Sequence, residues 1–136
     1  MIYSVVVELG TNDIEYGVIV PDLKGCFSSG DTFEEALINA KEAISFHLEG
    51  LAENGQLPPV AKSVDEYMSN PDYDGWVWGM VDIDVTPYLG SSSKINVTLP
   101  DLVTKQIDDI VKTTEQFKSR SHFLQQAAKA QILQCA

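Results

Sequence analysis

The sequence has 136 residues, of which 44% are hydrophobic and 21% are charged, and this composition is typical of one ordinary globular domain or of two small ones. No run of about 18 apolar residues is present, which argues against a membrane-spanning helix, and no basic leader precedes the first predicted strand. We therefore expect a cytoplasmic protein in which Cys26 and Cys135 are free thiols, since neither belongs to a metal-binding motif.

Charge is distributed unevenly along the chain. Residues 1–90 contain three lysines and no arginine against sixteen acidic residues, a net charge of −13, whereas residues 91–136 contain five lysines and one arginine against four acidic residues, a net charge of +2. This asymmetry predicts two modules with different partners. The acidic module would attract a basic partner, and the second module can approach phosphate.

The elements of the first module follow the order β-β-β-α-β, which predicts an α+β layer with one helix on a small sheet. The predicted helix begins at a capping box formed by Thr32 and Glu35, and it ends at Asn54–Gly55. Turn residues separate the other elements. The four predicted strands cover residues 2–9, 16–20, 26–29 and 76–85.

Aromatic and acidic side chains are concentrated before and within the last of these strands. Trp76 and Trp78 are predicted on the sheet face opposite Val77 and Val81, where they either cover the helix or form an exposed aromatic anchor for a partner. Together with Tyr73 they are candidates for binding a second protein. Self-association of the first module is the alternative that the sequence leaves open.

Residues 94–99 alternate between apolar and polar side chains, which is the period of a strand. The apolar face consists of Ile95, Val97 and Leu99, and the polar face consists of Lys94, Asn96 and Thr98. An ammonium, an amide and a hydroxyl group can read base edges in the major groove of DNA. One strand and two helices are too small to bury a core, so we predict that two copies pair their strands into a ribbon-helix-helix dimer.

Two helical patterns follow Pro100 and complete this second module. Before the second pattern lies a basic and hydroxyl-rich segment, which is predicted to cap the helix and to bind phosphate through backbone N–H groups. It consists of Lys118, Ser119, Arg120 and Ser121. The predicted dimer core consists of Ile95, Val97, Leu99, Ile107, Ile110, Val111, Phe123 and Leu124. The predicted domains are residues 1–85 and 94–136, joined by a linker at residues 86–93.

The segment from Tyr16 to Leu37 resembles the HicB family of type II antitoxins. It contains the signature Y-x-x-x-x-P-D-L-x-G-C-x-x-x-G-D-T-x-E-E-A, and the resemblance extends over residues 1–85. Residues 94–136 resemble the family variant with ribbon-helix-helix DNA binding. The resemblance implies a partial ribonuclease-H-like fold, a small basic HicA toxin that cleaves messenger RNA as the partner, and repression of the operon that encodes the pair.

The residues alone are also compatible with two other classes of function. One is a ligand-sensing ribbon-helix-helix regulator without a toxin, and the other is a minimal metal-dependent nuclease. Two-metal chemistry requires several converging carboxylates. The only conceivable set consists of Glu8, Glu42 and either Asp82 or Asp84. Their spacing matches no motif, so we predict no catalytic residue, no metal and no cofactor. His47 and His122 are predicted to be ordinary surface or half-buried helix residues. Whether dimers pair into tetramers is left open.

Overall fold

Four strands and one long helix form the first part of the chain, in the predicted order β-β-β-α-β. The computed structural model describes residues 1–135 and divides into two units, Met1–Ser92 and a second unit that begins at Ser93. The first unit contains β1 (Ile2–Glu8), β2 (Tyr16–Ile19), β3 (Phe27–Gly30), α1 (Phe33–Glu53) and β4 (Val77–Asp82). The second contains α2 (Asp101–Thr113) and α3 (Arg120–Cys135). The predicted α+β class is therefore confirmed.

The four strands form one antiparallel sheet in the order β3-β2-β1-β4. Because side chains alternate across a strand, Tyr3, Val5 and Val7 of β1 lie on one face, and all three are fully buried in a core shared with α1. Ser4 and Val6 lie on the other face and are also buried. Strand β1 is therefore covered on both sides.

Helix α1 begins and ends where the sequence predicts. The Thr32 hydroxyl accepts a hydrogen bond from the backbone N–H of Glu35 at 3.1 Å, which is the predicted N-cap. At the other end Gly55 has a φ of +72°, and the Gln56 N–H donates to the Leu51 carbonyl at 2.9 Å, which is the arrangement of a glycine-terminated helix. The buried stripe of α1 consists of Ala36, Ala40, Ile44 and Leu48.

Gly30 lies where the end of β3 approaches the first turn of α1. A Cβ at this position would lie 2.5 Å from the backbone nitrogen of Ala36, and backbone cannot rotate away as a side chain can. We expect Gly30→Ala to lower the free energy of unfolding by about 1–3 kcal/mol, the usual cost of overpacking. Gly17→Ala is the control, since a Cβ there would meet nothing within 4 Å. Equal denaturation midpoints for the two variants would contradict this account of Gly30.

The first unit differs from its prediction at two places near its end. Val77, predicted on the core face of the last strand, is 38% exposed because it lies at the open start of β4. The packed part of the unit also extends into the predicted linker. Val85 and Tyr88 pack against the core, and residues 86–88 form a single 3₁₀ turn.

The second unit carries the two predicted helices but not the predicted strand. Residues 93–100 have no strand in the single chain, and Ile95 is 78% exposed and Val97 is 55% exposed. A strand exists only through hydrogen bonds to a neighbouring strand, and within residues 93–135 there is none to pair with. Within residues 101–113 of α2 only Ile107 is buried, and none of residues 120–135 of α3 is buried.

The structure also shows the state of both cysteines and whether any helix could span a membrane. Cys26 is buried and Cys135 exposed, and both are free thiols. Burial raises the pKa of the Cys26 thiol. No helix within residues 1–135 combines the length and the apolar character needed to cross a bilayer.

Candidate functional site

The three predicted partner-binding aromatics, Tyr73, Trp76 and Trp78, lie together in one cluster with Tyr67. Trp78 lies at its centre, 5.6 Å from Tyr73 and 6.4 Å from Tyr67 between ring centroids. Trp76 lies 5.5 Å from Tyr73. All four side chains are half-buried, so each ring retains solvent-accessible surface. We call these four residues the aromatic cluster.

The aromatic cluster lies on the sheet face opposite α1. Trp78 is the register partner of Val6, whose side chain points away from the core shared with α1 and is fully buried. Trp78 therefore contributes to covering the sheet as well as presenting surface. The prediction that Trp76 and Trp78 cover the helix is wrong, because their cluster lies on the sheet face opposite α1. Their half-buried rings are compatible with the other prediction, contact with a partner.

Asp22 fixes the loop that carries the aromatic cluster. Its carboxylate accepts a hydrogen bond from the Tyr67 hydroxyl at 2.5 Å, across 45 residues of chain, and another from the Lys62 backbone N–H at 3.2 Å. A second tie joins the Tyr3 hydroxyl to the Pro59 carbonyl at 2.7 Å. Residues 59–67 are thus hydrogen-bonded to both β1 and the turn after β2. This role of Asp22 was not predicted, although Asp22 belongs to the signature that carries the family resemblance.

The hydroxyl groups of Tyr3 and Tyr67 both have a raised pKa. Burial, followed by the nearby charge of Asp22, raises the pKa of Tyr3 to about 12. Burial also raises the pKa of Tyr67, and the hydrogen bond to Asp22 raises it further. Because an unfolded tyrosine titrates near pH 10, both hydroxyls contribute stability that is fully present below about pH 10 and is lost as the pH rises through the folded values.

This predicts a specific effect of Tyr67→Phe. At neutral pH the variant should lose about 1.5–3 kcal/mol of unfolding free energy, as expected for a hydrogen bond to a charged group. Its stability should also fall less steeply than that of the unchanged chain above pH 10, because one raised pKa has been removed. Denaturant titrations at pH 7 and at several values above 10 measure both effects.

Tyr88→Phe is the matched control for this experiment. The Tyr88 hydroxyl has no hydrogen-bond partner among residues 1–135, and Tyr88 packs on the same unit. An equal loss of stability in the Tyr67 and Tyr88 variants would show that the bond to Asp22 is not what holds the loop.

Acidic side chains surround the aromatic cluster. Residues 64–84 contain six acidic residues and no lysine, arginine or histidine. The carboxylates nevertheless do not form a metal site: within residues 1–135 no three carboxylate, imidazole or thiol side chains are grouped closely enough to hold an ion. The set of Glu8, Glu42 and Asp82 or Asp84 therefore does not converge.

In the second unit, Lys94, Asn96 and Thr98 are all exposed. They lie in the segment without a strand, so the single chain does not arrange them as one reading face. The apolar residues between them, Ile95 and Val97, are also exposed.

The start of α3 confirms the predicted cap. The Ser119 hydroxyl accepts a hydrogen bond from the His122 N–H at 3.1 Å. Arg120 makes two hydrogen bonds to the Asp108 carboxylate, at 2.8 and 3.0 Å, and this pairing lowers the pKa of Asp108. The predicted phosphate ligand Arg120 is thus also a link between α3 and α2, which the sequence did not indicate.

Both histidines are ordinary helix residues, as predicted. His122 accepts a hydrogen bond from the Lys118 N–H at 3.2 Å. His47 is half-buried and lines a shallow groove between β3 and α1 with Phe27, Phe46 and Leu51. Phe46 is 79% exposed, because it lies two residues from both Ile44 and Leu48 and thus on the face of α1 opposite the buried stripe.

The comparisons with known proteins agree with this architecture. The family described as "HicB_like antitoxin of bacterial toxin-antitoxin system" matches residues 3–128. A relative from Haemophilus phage HP1, described as an uncharacterized 14.9 kDa protein in the rep-hol intergenic region, is 43% identical over 133 residues and covers 98% of both chains.

Two solved structures extend the likeness. Antitoxin HicB3 is 31% identical, with a TM-score of 0.78 over 97% of this chain and 98% of that one. A chain of the HicA3 and HicB3 toxin-antitoxin complex is 32% identical, with a TM-score of 0.53 over 62% of this chain and 99% of that one.

The α+β sheet, the acidic first unit and the helical second unit are therefore those of an antitoxin from a bacterial toxin–antitoxin system. The chain belongs to the HicB-like antitoxin family. The resemblance read from Tyr16 to Leu37 is confirmed.

Proposed function

We propose that the chain neutralises a small basic HicA-like toxin that cleaves messenger RNA and represses its own operon by binding operator DNA. The observation that carries this proposal is the separation of two surfaces on two units. The first unit presents half-buried aromatic rings among acidic side chains, and the second presents exposed polar and apolar side chains from a segment with a positive net charge.

The toxin is proposed to contact Tyr73, Trp76 and Trp78. Tryptophan and tyrosine supply much of the binding energy at protein interfaces, and rim charges mainly speed encounter. A unit with a net charge of −13 would attract a basic ribonuclease, and the likeness to a chain of the HicA3–HicB3 complex supports a partner of that type. The partial ribonuclease-H-like fold implied by the family would then serve as a binding platform.

The second unit is proposed to form a ribbon-helix-helix dimer. In the single chain Ile95 and Val97 are exposed, and none of residues 120–135 of α3 is buried. A second copy could therefore cover this apolar surface. Pairing residues 94–99 of two copies would bury Ile95, Val97 and Leu99 and align Lys94, Asn96 and Thr98 for the major groove. Lys118, Ser119, Arg120 and Ser121 are then proposed to contact phosphate at the start of α3.

Co-expression with the adjacent reading frame tests the toxin half of the proposal. A small basic HicA-like product should copurify stoichiometrically with the chain, and its cleavage of messenger RNA should stop at a one-to-one ratio. Failure to bind, combined with intact operator binding, would favour the alternative of a regulator without a toxin.

The DNA half predicts a defined effect of Asn96→Ala. Loss of a bidentate amide contact should cost about 1–3 kcal/mol at one base position of the operator, while binding to other positions is retained. Gln131→Ala, which removes an exposed amide from α3, should leave affinity unchanged. Gel-shift titrations against operator variants measure both. Equal affinities for the unchanged chain and the Asn96 variant would remove Asn96 from the reading face.

A further inference from the structure

The sheet of the first unit has two edges, and they differ in how their backbone groups are used. Strand β3 is one edge and β4 is the other. An edge strand presents unpaired N–H and C=O groups from alternate residues, and such groups are a template for a strand from another chain. Which residues face outward follows from the register and from the hydrogen bonds at the strand ends.

On β4 the outward residues are Trp78, Met80 and Asp82. Met1 and Ile83 exchange two backbone hydrogen bonds of 2.9 Å, so in the antiparallel ladder of β1 and β4 the pairs at even positions of β4 do not bond to each other. Among residues 1–135 the N–H and C=O groups of these three residues have no other backbone partner. Met80 is 61% exposed and Asp82 is exposed.

On β3 the outward residues are Phe27 and Ser29. The Val20 N–H donates to the Cys26 carbonyl at 3.2 Å, which makes the pair of Ile19 and Phe27 a non-bonded one. The outward carbonyl of Ser29 already accepts a hydrogen bond from the Asn39 side chain of α1 at 2.8 Å. This edge is therefore shorter and partly closed, whereas the edge at β4 is open.

We propose that the toxin adds an extended basic segment to the open edge of β4 as a fifth strand, which rests on the proposed function and specifies how its interface is built. Backbone hydrogen bonds to Trp78, Met80 and Asp82 would supply register, as in other complexes formed by strand addition. Trp78 belongs to both this edge and the aromatic cluster. The added strand thus continues directly into the surface proposed to bind the toxin.

The negative charge of β4 and of the loop before it favours a basic toxin strand over a second copy of β4 at this edge. Residues 64–84, which include β4 and the loop before it, carry six acidic residues and no basic side chain. Pairing β4 with its own copy around a two-fold axis would place two such segments together, and like charges across an edge are unfavourable. A strand with lysine and arginine side chains would instead be attracted.

Amide exchange measured by NMR on the full chain, alone and with a catalytically inactive form of the adjacent-frame HicA-like product, tests the proposal. The N–H groups of Trp78, Met80 and Asp82 should exchange at least about tenfold more slowly in the complex, because each gains a partner. Those of Phe27 and Ser29 should not change. Val77, Gly79, Val81 and Ile83, whose N–H groups face β1, should be slow in both samples.

Variants of the same position add a second readout. Met80→Pro removes an outward N–H without removing a bond to β1, whereas Met80→Ala removes only the side chain. Toxin affinity should fall at least about tenfold more in the proline variant than in the alanine variant. Phe27→Pro makes the same change at the other edge and should leave affinity within a few-fold of the unchanged chain. If Met80→Pro does not fold, the exchange pattern of the unchanged chain decides alone.

Toxin binding with Trp78, Met80 and Asp82 still unprotected would overturn the strand-addition proposal and leave the proposed function intact. Protection at Phe27 and Ser29 instead would also overturn it, as would protection of the β4 edge that rises with chain concentration in the absence of toxin. Absence of any binding to the HicA-like product would reject the proposed function itself.

Discussion

Replacing Val97 with aspartate is expected to leave the chain monomeric and to abolish operator binding. Val97 is 55% exposed in the single chain, but in the proposed ribbon its side chain faces the core between two copies. A two-fold axis would bury two unpaired carboxylates for one substitution, and each uncompensated buried charge costs several kcal/mol. Light scattering across a concentration series measures the mass, and a gel-shift titration measures DNA binding.

Thr98→Asp is the matched comparison, because it places the same carboxylate on the next residue and thus on the opposite face of the proposed strand. This variant should remain dimeric and lose DNA, since the new charge faces phosphate. Both variants should still bind toxin through the first unit. A Val97→Asp chain that keeps the mass and concentration dependence of the unchanged protein would place residues 94–99 outside the dimer interface.

The first unit could be predicted from the sequence because its determinants are local. The cap at Thr32 and the stop at Gly55 use residues within a few positions of one another, and the strands are short alternating runs between turn residues. These signals do not depend on distant parts of the chain. They located α1 and the four strands of the sheet unit to within three residues at each end.

The contacts that were not predicted join distant residues. Tyr67 and Asp22 are separated by 45 residues, and Arg120 and Asp108 by 12, and nothing in the local pattern of either residue identifies its partner. The same limit applies to the aromatic cluster. The sequence placed Trp76 and Trp78 near each other, but only the fold shows that Tyr67 and Tyr73 pack around Trp78.

The strand at residues 94–99 differs for another reason. Its alternation was read from the sequence, yet the single chain has no strand there. The pattern specifies which faces a strand would have, whereas the hydrogen bonds that make a strand would come, in the proposed dimer, from a second chain. The alternating pattern therefore predicts a strand of the proposed dimer, which the single chain does not form.

Trp76→Ala is expected to weaken toxin binding by about 2 kcal/mol or more, the loss found when an aromatic anchor is truncated. Trp76 suits this test better than Trp78. The Trp76 ring contacts only Tyr73 within the aromatic cluster, whereas the Trp78 ring stacks on Tyr67 and meets Tyr73 edge-on. Trp78 is also the register partner of the buried Val6. Truncating Trp76 should therefore leave the unfolding midpoint nearly unchanged.

Phe46→Ala is the control for that variant, since it removes an aromatic ring of similar character that is 79% exposed on α1 of the same unit. Its toxin affinity should equal that of the unchanged chain. Calorimetric titration with the HicA-like product measures both affinities. Stopped-flow association at several salt concentrations distinguishes the short-range contacts of the aromatic ring from the long-range electrostatic attraction that speeds association. The Trp76 variant should dissociate faster while its association rate keeps the same salt dependence, because the acidic residues around the cluster still act over a Debye length of about 8–10 Å. If Phe46→Ala weakens binding and Trp76→Ala does not, the toxin contacts the groove between β3 and α1 rather than the aromatic cluster.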